Sequence, residues 1–148
     1  IEAFTASVDR FGTLFQQAWI GVFGAKLGLT DPSHADVPLI QDLLTLMAQD
    51  GADFTNTFAT LDRDQFVQRG AFDAWHTRWK DRADGPRMTP QVIPRNHRIA
   101  AEIEAAVDGD DGPFDAMLAA VTSPDTPDAD YARPPTEDER VTRTFCGT

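Results

Sequence analysis

The group with the most direct chemistry in this chain is the thiol of Cys146, third from the C-terminus and the one cysteine among 148 residues. A single cysteine excludes an internal disulfide framework and any cysteine-rich zinc site. Followed only by Gly147 and Thr148, it is open to thiol–disulfide exchange, which needs a second sulfur to approach along the bond axis. On chemistry alone two roles stay open: a leftover terminal thiol, or a redox group whose partner lies outside this sequence. A second candidate is Arg95-Asn96-His97-Arg98, which places two guanidiniums, an amide and an imidazole just after Pro94. At a helix N-terminus such a cluster could hold an anion, because unpaired N–H groups and the dipole favour negative charge there. The alternative is structural, with Asn96 as the N-cap and the arginines paired to acidic neighbours.

Other groups are weaker candidates. His34, His76 and His97 form no His-x-x-x-His or Glu-x-x-His pair, so nothing brings two ligands onto one helix face and no metal site is expected. Asp108, Asp110 and Asp111 suggest a calcium loop, but the glycine is misplaced and the twelfth position is Ala119 rather than glutamate; a solvated turn between helices is expected instead. Trp19, Trp75, Trp79 and the phenylalanines fall at helical spacing without interleaved basic residues, which is the pattern of a core rather than of a base-stacking platform. No phosphate-binding glycine loop, nucleophile elbow or kinase motif occurs, so this segment shows no catalytic apparatus of its own.

The elements that must position these groups are helices. Val8, Phe11, Phe15, Ala18, Trp19, Val22 and Phe23 recur at three- and four-residue steps, the periodicity of one helix face, and the helix stops at Gly24 or Gly28. Asp36 is expected to cap a second helix with Leu39, Ile40, Leu43, Leu44 and Met47 inward and Gly51 after its end. A shorter helix carries Phe54, Phe58 and Leu61, and another carries Phe72, Trp75 and Trp79 before Gly85-Pro86. Pro90 and Pro94 hold an extended connection to a helix marked by Ile99, Ile103, Ala106 and Val107, and a last helix carries Phe114, Met117, Leu118 and Val121. No alternating strand is found, so the fold class is all-α. Two regions are expected: a helical region over 1–121, and over 122–148 an extended tail rich in proline and aspartate.

With 24 acidic against 13 basic residues the formal net charge is −11, a field that repels phosphate backbones and anionic membranes; neither nucleic acid nor a membrane is an expected partner. No apolar run approaches the roughly 18 residues of a membrane span. The chain starts at Ile1 rather than Met, and it is expected to be a mature form or a fragment.

Taken together, several stretches resemble one family. They are Lys26-Leu27-Gly28-Leu29 after an aromatic helix, Leu39-Ile40-Gln41-Asp42-Leu43-Leu44 with Met47, Asp53-Phe54-Thr55, Met88-Thr89-Pro90, Ile93-Pro94-Arg95-Asn96-His97, the segment from Tyr131 to Pro135, and the terminal Cys146-Gly147-Thr148. In this order they are similar to the C-terminal region of the selenoprotein O (SelO) family, protein adenylyltransferases with a pseudokinase fold. One departure is Thr89, where the family commonly has Asn; Pro90 still fixes the connection. The resemblance implies a longer protein whose preceding, kinase-like portion binds ATP and Mg²⁺ and transfers AMP to hydroxyl side chains of protein substrates. Nucleotide and metal would then bind outside this segment, which would bind no cofactor itself. Cys146 would match the selenocysteine or cysteine thought to bridge to the catalytic region, and Arg95, Asn96 and His97 would contact the catalytic lobe. It also implies a cytoplasmic location for a bacterial chain and a mitochondrial one for a eukaryotic chain. The rival expectation is an autonomous, non-enzymatic acidic helical module, from which a piece of a larger protein would differ by exposing a sizeable apolar patch.

Overall fold

The aromatic run at the start of the chain folds as one long helix, α1 (Glu2–Leu27), and Gly28 ends it at φ +69. The structure is a computed structural model that describes the backbone of residues 2–142 and the side chains of residue 8 and residues 10–142. Gly28 holds its left-handed conformation where a Cβ would meet the carbonyl oxygen of Gly85 at 2.5 Å, so both the backbone angle and the space require glycine. The last carbonyls of α1 are satisfied by distant donors: Met88 N–H binds the Ala25 oxygen at 2.9 Å, and the Trp79 indole binds that of Leu27 at 2.8 Å.

Six helices follow: α2 (Val37–Asp50), α3 (Phe54–Thr60), α4 (Arg69–Arg82), α5 (Asn96–Val107), α6 (Gly112–Thr122) and the single turn α7 (Ala129–Ala132). No strand occurs among the described residues, and the fold is all-α. The chain divides into two compact units, residues 1–89 and residues 90–148. From Thr122 onward, where an extended segment was expected, one turn of helix forms over α7, capped by the Asp128 side chain on the N–H groups of Asp130 and Tyr131.

The first unit holds the hydrophobic core. Leu27, Leu29, Leu39, Ile40, Leu43, Met47, Phe58, Leu61, Phe66, Phe72 and Trp75 are all buried in one cluster. Burying this many large apolar side chains is the principal drive for folding the unit, at about 1.5–3 kcal/mol each before entropy is counted. Trp75 satisfies its indole N–H on the Leu39 carbonyl at 2.8 Å, as a buried tryptophan must. Gly51 ends α2 at φ +66 and returns its N–H to Met47, as the sequence predicts.

Two expectations change. Asp36 precedes α2 but makes no capping bond there; its carboxylate instead closes a capping box with Ser33 across a short 3-10 turn, His34–Asp36. The apolar residues of α1 split: Trp19 and Phe23 pack on the core, whereas Val8, Phe11, Phe15 and Val22 are exposed. In the second unit, Ile103, Val107, Phe114 and Leu118 face solvent, while Met117 and the charged Glu102 are buried. An i, i+4 spacing fixes which residues share a face but not which face is covered, and α5 buries His97 and Glu102.

Candidate functional site

Within the second unit, Pro94 and Arg95 stay extended and α5 begins at Asn96, with Arg95 in the N-cap position and no side-chain cap bond. Asn96 is therefore the first helical residue and not the cap. Its side chain is exposed, whereas Arg95 and His97 are buried. Arg98 donates from Nη2 to the Asp130 carbonyl at 2.8 Å and stacks its guanidinium 5.5 Å from the centre of the Tyr131 ring, a cation–π contact. Arg98 thus ties α7, which presents Tyr131, to α5.

Arg133, just past α7, makes two parallel bonds to Glu139 at 2.7 Å each, and the Thr136 N–H adds a third to the same carboxylate at 2.8 Å. These bonds, Arg133 first, hold the Glu139 carboxyl far below the usual carboxylate range. Burial pushes the His97 imidazole down, and the charges of Arg133, Arg98 and Arg95 push it the same way against the opposing pull of Glu139. Burial likewise raises the Glu102 carboxyl, with Arg98 opposing. His97 Nε2, Arg98 Nε and Glu102 Oε2 are buried without a hydrogen-bond partner among the described residues.

This arrangement commits Arg98 Nη2 to the Asp130 carbonyl and the Arg133 guanidinium to Glu139, and Asn96 is not the cap that the structural alternative expected. It also makes Glu102 a liability at neutral pH. Glu102→Gln should stabilise the complete protein by about 1 kcal/mol at pH 8, since it removes a buried charge whose second oxygen has no donor. The sign follows from the raised carboxyl: the folded state binds the proton more tightly, so wild type loses stability as pH rises above 4.5, its ordinary value. The gap between variant and wild type in thermal melts should therefore close as pH falls to about 4; a gap constant with pH would show Glu102 to be paired.

The remaining sequence candidates lie apart. His34 is exposed in the turn before α2. His76 lies between Phe72 and Trp79, with ring centres 5.4 and 5.0 Å away, and is lowered first by burial. Among the described residues no group of three His, Cys, Asp or Glu is placed to hold a metal. Asp108, Asp110 and Asp111 sit in the exposed turn between α5 and α6, where the Asp110 carboxylate accepts the Gly112 N–H at 3.0 Å. Cys146 lies outside the described residues.

Sequence reasoning quoted the segment from Tyr131 to Pro135 only for its resemblance, and it missed Glu102 and the contacts of Tyr131 and of the Arg133–Glu139 pair. Arg98 and Glu102 stand at i, i+4 on α5, a spacing visible in advance. The link from α5 to Tyr131 spans more than thirty positions and has no local signature.

The chain has close relatives. It is 45% identical to protein nucleotidyltransferase YdiU of Roseobacter denitrificans over all of its own length and 34% of that protein. It is 46% identical to protein nucleotidyltransferase YdiU of Ruegeria sp., again over its full length and 34% of the relative. The protein of the same name from Agrobacterium fabrum is 43% identical over 99% of this chain and 36% of the relative. The chain belongs to the YdiU (SelO) family. It corresponds to the C-terminal part of the YdiU proteins and spans about a third of their length. No general family model matches it. Membership agrees with the resemblance carried by Lys26 to Leu29, Pro94 to His97 and Cys146 to Thr148, and the YdiU relatives are nucleotidyltransferases by name. Among the described residues no helix is long and apolar enough to cross a membrane.

Proposed function

We propose that this chain is the C-terminal helical region of a protein adenylyltransferase that moves AMP from ATP to hydroxyl side chains of other proteins in the bacterial cytoplasm. The supporting observation is identity of 38–46% over 97–100% of the chain to proteins named protein nucleotidyltransferase. ATP and Mg²⁺ belong to the portion that precedes this segment. The segment contributes its helical surface, its exposed Asn96 and its tail thiol. Arg95 and His97, both buried, act by fixing the start of α5 so that Asn96 is presented to the catalytic portion.

Cys146 is the regulatory group in this reading. Its thiolate attacks a small-molecule or protein disulfide and releases one thiolate of it, and a cysteine of the preceding portion then attacks the Cys146 sulfur of the mixed disulfide and displaces the other. The disulfide that acted as oxidant takes the two electrons and leaves as two thiols, and a dithiol reductant reverses the step. The bridge restrains the active-site cleft, and reduction releases it.

Intact-mass measurement on the complete protein with ATP and Mg²⁺ tests the transfer: a gain of one AMP unit supports it, and no gain under reducing or oxidising conditions removes it. Cys146→Ser tests the regulation. The variant should show equal AMP transfer in oxidising and reducing buffer while wild type differs between them; a variant that still responds to redox state rules out Cys146 as the switch. The exposed apolar residues of α1 favour this reading over an autonomous module, which would have no reason to leave them open.

A further inference from the structure

The first half of α1 stands away from its unit. The described side chains from Val8 to Ala18 are all exposed, and contact with the core begins only at Trp19 and Ile20. At about 100° per residue, Val8, Phe11, Leu14, Phe15, Ala18 and Val22 fall within an arc of roughly 120°, while Arg10, Thr13, Gln16 and Gln17 lie on the opposite side. The arm is a well-formed amphipathic helix whose apolar side meets water: Phe11 is 67% and Phe15 59% exposed. From Val8 to Val22 the stripe runs about 20 Å. Its direction differs by roughly 100° from the side on which Trp19, Phe23 and Leu27 enter the core. An unsupported arm of this length is marginal in water, and Gly12 in its middle weakens it further.

We propose that this stripe is the seat of the portion of the protein that precedes the chain. The occupant follows from length and place. The relatives match at their C-terminal part over about a third of their length, so some two-thirds of each lies before the matched segment. That preceding chain leads directly into α1, and the stripe begins within about two turns of the point of entry. A neighbour joined by a few residues is present at high effective concentration, and an apolar face of this size is covered first by what is tethered beside it. The inference rests on the chain being the C-terminal part of a longer YdiU protein and not on the chemistry of AMP transfer.

Hydroxyl-radical footprinting of the complete wild-type protein reads the stripe directly. Modification of Phe11 and Phe15 should be about tenfold slower in the native protein than in the denatured one, and should stay so on dilution to a concentration at which sedimentation shows a monomer. Rates near the denatured value at every concentration overturn the proposal. Protection that disappears as a dimer dissociates assigns the stripe to a second copy and overturns it equally. Variants give an independent reading: Phe11→Lys with Phe15→Lys should lower Tm by about 5 °C or more, whereas Thr13→Lys with Gln17→Lys, on the polar side, should leave it unchanged. Equal Tm in both pairs would also refute it. The footprint does not depend on catalysis, so failure of the AMP assay with Phe11 and Phe15 protected would remove the activity and leave the interface standing.

Discussion

Trp75→Ala in the complete protein is expected to lower stability by about 3–5 kcal/mol. Trp75 is 2% exposed, stacks over Trp79 with ring centres 6.2 Å apart, and lies 5.6 Å from the Phe72 ring. Truncation removes this packing and leaves a void that helices already tied to one another cannot collapse to fill. It also removes the N–H that binds the Leu39 carbonyl at 2.8 Å, which joins α4 to the first turn of α2. Trp75→Phe separates the contributions: the ring volume is largely kept, and the lost hydrogen bond should cost about 1 kcal/mol. Denaturant unfolding followed by far-ultraviolet circular dichroism checks both. If the alanine variant lost less than about 1 kcal/mol, Trp75 would not belong to the cooperative core.

The same core shows what the sequence could reveal. Leu39, Ile40, Leu43 and Met47 were identified as inward from spacing alone and are buried, because α2 has one apolar side and one neighbour set to receive it. Gly51 was readable, and Gly28 was one of two candidates with Gly24, because a left-handed residue at a helix end is commonly glycine. Spacing fails where a helix has two apolar directions. On α1, Phe15 and Trp19 look like members of one face, yet about 40° of rotation separates them, and the core receives only the second. On α5, Ile103 and Val107 marked the helix by their spacing, yet both are exposed and Glu102 is buried; periodicity carries no sign to tell the two sides apart.

For the candidate site, the cluster Arg95-Asn96-His97-Arg98 was visible because four polar residues follow a proline at a helix start. Its function within the unit was not, since it depends on Tyr131, the Asp130 carbonyl and Glu102. Tyr131 and the Asp130 carbonyl come from α7, which only the folded backbone brings to Arg98, while Glu102 stands one turn on from Arg98 along the same helix. The family resemblance rests on a different kind of information, the order of short stretches along the whole segment. That order survives the substitution of Thr89, whose hydroxyl oxygen is buried without a hydrogen-bond partner among the described residues.

Arg82→Met is expected to cost about 3 kcal/mol at neutral pH, because it strands a buried carboxylate. Asp36 is 5% exposed and accepts from Arg82 Nε at 2.7 Å and Nη2 at 3.2 Å, with the Ser33 N–H adding a bond at 2.8 Å. Burial alone would raise its carboxyl; the hydrogen bonds from Arg82 and Ser33 and the arginine charge outweigh it and hold the group below its ordinary 3.8. A depressed carboxyl contributes stability that is present above the unfolded value and is lost as pH falls through the folded one. Wild type should therefore lose this contribution only below about pH 4. In the variant the sign reverses: Met keeps the aliphatic contact but supplies no charge, burial then dominates, and the Asp36 carboxyl rises. The variant is penalised at pH 7 and relieved by acid, so the difference in Tm should be widest near neutrality and shrink towards pH 4. Adding Asp36→Asn to Arg82→Met should restore part of the loss at pH 7, as the stranded charge is gone while the Ser33 contacts survive. A difference below about 1 kcal/mol at pH 7, unchanged with pH, would place the pair among ordinary surface ion pairs and leave the capping box alone to hold the turn that leads into α2.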